Sequence, residues 1–178
     1  MLAASCLGAA GCETEIVRGP VEVHHRSADV PRTSSEERLR DAVKKDPGNA
    51  KAWIELGTYY EDGLQLVDAA QCYERAHSLV DGRRFTGCHF LLARVYARLE
   101  DFDRAVRHLE SVFALEPRER RVACANEHFR EAHFLRGAIH FTLAEWRRAE
   151  REFEQFVALG GDGFRCEEWR SRIRQELR

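Results

Sequence analysis

From residue 34 to the end of the chain, apolar residues return every three or four positions and are interrupted at short intervals by turn formers. Spacing of that kind marks helices with one buried face. Leu39, Ala42 and Val43 make the first stripe. Thr33, Ser34 or Ser35 can cap its start, and Glu36 or Glu37 can complete a capping box. Asp46-Pro47-Gly48-Asn49 then stops the helix and turns the chain. Trp53, Leu56, Gly57 and Tyr60 fall on one face of the next helix, and Asp62-Gly63 breaks it. Ala69, Tyr73 and Ala76 make a similar face beyond the break. Gly57 and Ala69 allow two backbones to approach closely, while the large rings fill the space beside them. The unit is a helix hairpin that cannot bury all its apolar surface alone.

The same order returns twice. Leu92-Ala93, Tyr96, Ala105, Leu109 and Pro117 repeat it, and so do Gly137, Phe141, Ala149 and Phe153. Phe102 and Trp146 occupy equivalent points in two inter-helix turns. After Gly160-Gly161-Asp162-Gly163, a last stripe of Trp169, Ile173 and Leu177 is flanked by Arg and Glu, which suits a terminal helix with a polar outer face.

The run Trp53-x2-Leu56-Gly57-x2-Tyr60…Ala69-x3-Tyr73 resembles the tetratricopeptide repeat, which has a period of about 34 residues and the pattern W-x2-L-G-x2-Y…A-x3-F…P. Asp81 stands where the closing Pro is usual. The resemblance implies an all-α fold, a right-handed α-solenoid of antiparallel helix hairpins with a C-terminal capping helix. It implies a half-repeat at 34–49, repeats at about 50–83, 86–117 and 130–161, and a cap at 163–178. The chain departs from the pattern near Arg84-Phe85, at Arg136 where Leu is usual, and in an insertion at 118–129. The insertion lacks Gly and Pro, so it extends the following helix or adds one.

In this family the first helix of each hairpin lines a concave face. Carried over, that face takes Lys51, Ile54, Thr58 and Glu61 from the first repeat. It takes Phe90, Arg94, Ala97 and Arg98 from the second, and Glu131, Phe134, Ala138 and Phe141 from the third. Ile54, Phe90 and Phe134 have no duty inside their own repeats. An exposed apolar stripe with an arginine rim suits a docked helix or extended peptide. The competing reading is that the cap helix or the insertion folds over these residues as core. Co-chaperones of the family grip a terminal carboxylate with Lys and Asn where this chain has Ile54 and Thr58, which argues against that sub-type. The resemblance implies a non-catalytic adaptor whose partner is another protein.

Composition narrows the choice. Of 178 residues, 28 are Lys or Arg and 30 are Asp or Glu, a net charge of -2, which argues against nucleic acid as a partner. The opening "MLAASCLGAAGC" is small and apolar and ends in Cys12. It resembles a bacterial lipoprotein signal at 1–12, in which Cys12 would carry the lipid. A basic start is missing, Ala9 stands where Leu is usual, and Cys6 is a second candidate. Residues 13–33, with His24-His25, show no helical or strand period and read as a tether. No other run approaches the 18 or so apolar residues of a membrane span, so the anchor would be the only membrane contact. The expectation is a lipid-anchored protein of the bacterial envelope that assists an assembly there; the alternative is a soluble cytoplasmic adaptor.

Candidate chemistry is sparse. Cys124, His128 and His133 lie close in sequence, and converging nitrogen and sulfur ligands can bind zinc. They define a distant alternative, a metal- or thiol-dependent enzyme. There is no C-x2-C pair, no H-E-x-x-H and no G-x-S-x-G, so no cofactor, metal or catalytic residue is expected. Cys72, Cys88, Cys124 and Cys166 remain as buried thiols or as disulfide partners.

Overall fold

The computed structural model describes residues 34–80, 86–114 and 123–178. The segments 1–12 and 13–33, with Cys6 and Cys12, lie outside the described residues, as do Asp81, Arg84-Phe85 and Pro117. The side chain of Cys124 is outside them too.

The described residues form α1 (Ser34–Lys45), α2 (Ala50–Asp62), α3 (Leu66–Leu79), α4 (Thr86–Arg98), α5 (Phe102–Phe113), α6 (Ala123–Thr142), α7 (Trp146–Ala158) and α8 (Gly163–Glu176). No strand is present among them. Three starts are capped by the side chains the sequence supplies. Asn49 accepts from Ala52 N at 3.2 Å, Asp101 from Arg104 N at 3.1 Å and Asp162 from Phe164 N at 2.9 Å. The described part of the insertion, 123–129, extends a helix: α6 begins at Ala123 and runs unbroken through the first helix of the third hairpin, while 118–122 lie outside the described residues.

Helices α2 and α3, α4 and α5, and α6 and α7 pack as antiparallel hairpins. Neighbouring hairpins meet through α3 with α4, α4 with α6 and α5 with α6, while α1 closes one end on α2 and α8 the other on α7. This is an α-solenoid, in which each repeat contacts only its neighbours.

The three hairpin turns share one geometry. Leu64, Glu100 and Ala144 each adopt a left-handed conformation, with φ of 58°, 60° and 57°. The following N–H in each case closes a bond to the carbonyl five residues back, Gln65 to Tyr60, Asp101 to Tyr96 and Glu145 to His140. This satisfies a carbonyl that the helix end would otherwise leave open. None of the three left-handed residues is glycine, although Gly63 stands beside the first. The turn after α7 uses the same bonding with Gly160, at φ 84°.

These bonds also settle the register of the third hairpin. His140 occupies the position of Tyr60 and Tyr96, and Phe141 the position of Glu61 and Ala97. The expectation that Phe141 holds the tyrosine position is therefore corrected by one residue.

Between the helices of each hairpin, size is matched across the contact. A Cβ at Gly57 would lie 2.6 Å from the Tyr73 ring, and one at Gly137 would lie 2.8 Å from the Phe153 ring. In the second hairpin the equivalent positions hold Ala93 and the smaller Leu109, both fully buried in one cluster. One apolar cluster runs from Val43 to Ile139, and a second gathers Phe134, Phe141, Ala149, Phe153, Phe156, Cys166 and Ile173 around α8. Arg136, which replaces the usual Leu, lays its guanidinium over Phe113 at 3.9 Å and pairs with Glu152 at 2.7 Å. It thus covers apolar surface with its stem and ring-facing plane.

Candidate functional site

The first helices of the hairpins, α2, α4 and α6, carry the residues expected to meet a partner. On α2, Lys51 and Thr58 are exposed and Ile54 is half-buried. Lys51 approaches Glu55 at 3.8 Å, and the Thr58 hydroxyl donates to Ile54 O at 3.0 Å. Arg94 and Arg98 on α4 are half-buried.

Glu61 sits at the centre of this face and is buried, with 4 % of its surface exposed. It accepts from Arg94 through both carboxylate oxygens, at 2.7 and 2.8 Å, and from the Tyr73 hydroxyl at 2.9 Å. Arg98 reaches the same carboxylate at 3.4 Å. A fork of this kind is among the stronger pairings available to a carboxylate. Burial works against the charge on Arg94, but the bonds and charge of Glu61 prevail and raise its pKa above the ordinary value. Burial likewise pushes the Tyr73 hydroxyl well above its usual range, aided by the charge of Glu61. Two guanidinium groups share one carboxylate, so the node keeps an excess of positive charge.

The apolar part of the expected groove is not exposed, which corrects the expectation for three residues. Phe90, Phe134 and Phe141 are buried, at 7, 9 and 8 % exposure. The extension of α6 supplies His128, which stacks on Phe90 at 5.2 Å between centroids with the planes 21° apart. Phe134 packs on Phe156 at 5.3 Å, and Arg165 of α8 covers it at 4.3 Å. Phe141 meets Trp146 at 5.1 Å and Trp169 of α8 at 4.7 Å. Glu131 accepts from Arg165 at 3.1 Å, and Ala138 is buried. The insertion and the cap helix thus fold over these rings, and α6 presents little free apolar surface. Lys51, Ile54, Thr58, Arg94 and Arg98 remain accessible, with Glu61 beneath them.

The histidines of the enzyme alternative are engaged elsewhere. His128 stacks on Phe90. His133 is buried, bonds Glu152 at 2.8 Å and packs against Phe113 and Phe129. Cys72, Cys88 and Cys166 are buried free thiols, and burial raises each thiol pKa, to about 12, about 11 and about 11. Thiols so shifted are poor nucleophiles. The buried node on Glu61 was not legible as such, because Tyr73 and Arg94 reach it from other helices. A carboxylate on the apolar edge of the Tyr60 stripe was its one sequence signal.

No family model and no curated protein matches the chain. Solved structures do: 11 chains match. The crystal structure of MamA, a tetratricopeptide-repeat protein, superposes with a TM-score of 0.57 over 73% of this chain and 76% of that chain, at 14% sequence identity. Likeness at that identity concerns the fold. The chain thus has a tetratricopeptide-like helical repeat fold. Its architecture is the right-handed α-solenoid of antiparallel hairpins with a terminal helix that the repeat pattern implied.

Proposed function

We propose that the chain is a non-catalytic scaffold that holds a segment of another protein against the α2–α4 face. The observation that carries this reading is the sharing of one buried carboxylate, Glu61, by Arg94 and Arg98. The surplus charge stands beside exposed Thr58 and half-buried Ile54, so the face suits a segment that brings a carboxylate and a small apolar contact. Solenoids of this type offer such a face because stacked hairpins curve. Anchoring through Cys12 at a bacterial envelope, in support of an assembly there, completes the reading; a cytoplasmic adaptor without the anchor is the second form. The anchored form rests on the small-residue run ending at Cys12.

The test is paired capture from native lysate with the full chain and with an Ile54→Arg/Thr58→Glu variant whose circular dichroism matches the wild type. A partner retained by the wild type and lost by the variant supports the reading, and identical captures overturn it. Mass spectrometry of the mature N-terminus separates the two forms: an acyl group on Cys12 supports the anchored one, and an unmodified Met1 or Cys12 overturns it.

A further inference from the structure

Three imidazoles meet between the first and second hairpins. His77 comes from the last turn of α3, His89 from the first turn of α4 and His108 from the middle of α5. Counted from the hairpin turns, His89 takes the place of Trp53 and His108 that of Cys72, so the repeat itself does not call for them. The three stand in a row with His89 in the middle. Its Nε2 lies 3.3 Å from Nε2 of His77, and its Nδ1 lies 3.1 Å from Nδ1 of His108. All three residues are half-buried, so protons reach them from solvent.

We propose that His77, His89 and His108 form an acid-sensitive latch, which holds the two hairpins together until the row takes up its second added proton. The reason is a count of hydrogens. A neutral imidazole carries one N–H and one bare nitrogen. Three of them bring three donors, and the two contacts use two, each N–H facing a bare nitrogen. One bare nitrogen is left at an outer end of the row, either Nδ1 of His77 or Nε2 of His108. A first added proton binds there and leaves both contacts intact. A second has only the nitrogens inside the contacts to bind. One gap would then hold two N–H groups face to face, and the row would carry two positive charges. Separation relieves both, because each imidazolium can then bond water.

The surroundings do little to offset a second imidazolium. From α3, the Glu74 carboxylate favours a charge on His108, but it is exposed and accepts from the Tyr96 hydroxyl. Tyr96 of α4 stacks on His108 at 5.8 Å, and Arg104 of α5 lies over the Tyr96 ring. Arg107, also of α5, works against a charge on His108. Helix α6 meets α4 and α5 through His128 on Phe90 and His133 on Phe113, and Glu61 of α2 is held by Arg94 and Arg98. Burial, followed by His89 and His77, pushes His108 down to about 4. The separated state therefore binds protons more readily, and the latch weakens as pH falls from 6.5 toward about 4. The corresponding positions of the third hairpin hold His133 and Glu152, bonded at 2.8 Å, where a carboxylate faces the imidazole. The inference stands apart from the scaffold reading.

Hydrogen–deuterium exchange and circular dichroism of the full chain, followed from neutral pH into acid, test the latch. The expected result is a fall in protection of at least about tenfold in the last turn of α3 and the second turn of α4, with helix content unchanged. The fall is read after the intrinsic pH dependence of exchange is divided out, and it lies between pH 6.5 and about 4. His89→Asn removes both contacts, and protection at these turns should no longer depend on pH over that range. If that variant fails to fold, the assigned imidazole Cε1–H resonances of the wild type decide. The three titrate as one coupled set, and the second proton arrives with the loss of protection. Independent titration of the three, protection unchanged by acid or a folded variant that keeps the acid step would overturn the latch.

Discussion

The first and third hairpins are built on the same contact and use the space beside it in opposite ways. Each places a glycine, Gly57 or Gly137, under an aromatic ring from its second helix. In the first hairpin the ring is Tyr73, whose hydroxyl points to Glu61 and so recruits Arg94 and Arg98. In the third it is Phe153, with no polar tip, and Phe141 stands where Glu61 would. The apolar edge so created is covered by α8 through Trp169. A single register position therefore decides whether the inner face stays polar and open or becomes apolar and closed. The proposed docking face uses the first arrangement, and the terminal helix α8 packs on the second.

The strongest way to break the contrast is Glu61→Ala. It leaves Arg94, Arg98 and the Tyr73 hydroxyl without their acceptor. We expect a loss of about 2–4 kcal/mol, below the figure for a fully buried pair because Arg94 is partly hydrated. Urea unfolding checks this, and an unchanged midpoint would show that the node contributes nothing. Gly137→Ala comes next, at about 1–3 kcal/mol for overpacking against Phe153. Phe153→Leu alongside it recreates the Ala93–Leu109 pairing of the second hairpin. The double variant should thus lose less than the sum of the two singles, as read by a double-mutant cycle. Strict additivity would refute the size-matching explanation.

The hairpins should also differ in pH response. Burial would raise the Glu152 carboxyl, but bonds from His133 and Arg136 outweigh it and hold it below the ordinary 4.5. Burial holds His128 below 6.5. Both groups bind protons more readily in the unfolded chain, so stability falls as pH drops below 6.5 and falls again through the lowered value of Glu152. The first hairpin has the opposite sensitivity. Burial raises Tyr73 and Tyr60 above 10.0, so the unfolded chain loses those protons first and stability declines as pH rises past 10. Single-tryptophan variants keeping Trp53 or Trp146 should report acid unfolding first at Trp146 and alkaline unfolding first at Trp53. Coincident transitions would show that the solenoid melts as one unit. The smallest effect is a gain: Ala144→Gly relieves a left-handed alanine and should stabilise by about 0.5–1 kcal/mol, read as a higher melting temperature.

The hairpins were legible because their signal is local. Leu56, Tyr60, Ala69 and Tyr73 share one apolar cluster and Gly57 lies under the Tyr73 ring, all within a single repeat, so the spacing alone placed them on facing helices. The burial of Phe90, Phe134 and Phe141 was not legible. The groups that cover them, His128, Arg165 and Trp169, come from an insertion and a cap that the repeat pattern does not describe. The register slip at His140 had a similar cause, since Phe141 beside it is also aromatic and equally buried among ring neighbours. Cys124, His128 and His133 stand out in the sequence only by adjacency, and the structure engages His128 with Phe90 and His133 with Glu152. Arg136 shows that a charged residue can hold a leucine position when a ring lies under its plane.

Leu64, Glu100 and Ala144 share a backbone shape and have nothing chemically in common. The bend between paired helices is thus carried by main-chain bonds and does not depend on the chemical character of the side chain displayed at its tip. Over evolutionary time those tips are open to drift, and new contacts or charges can be tried there while the stacking of the array is left undisturbed.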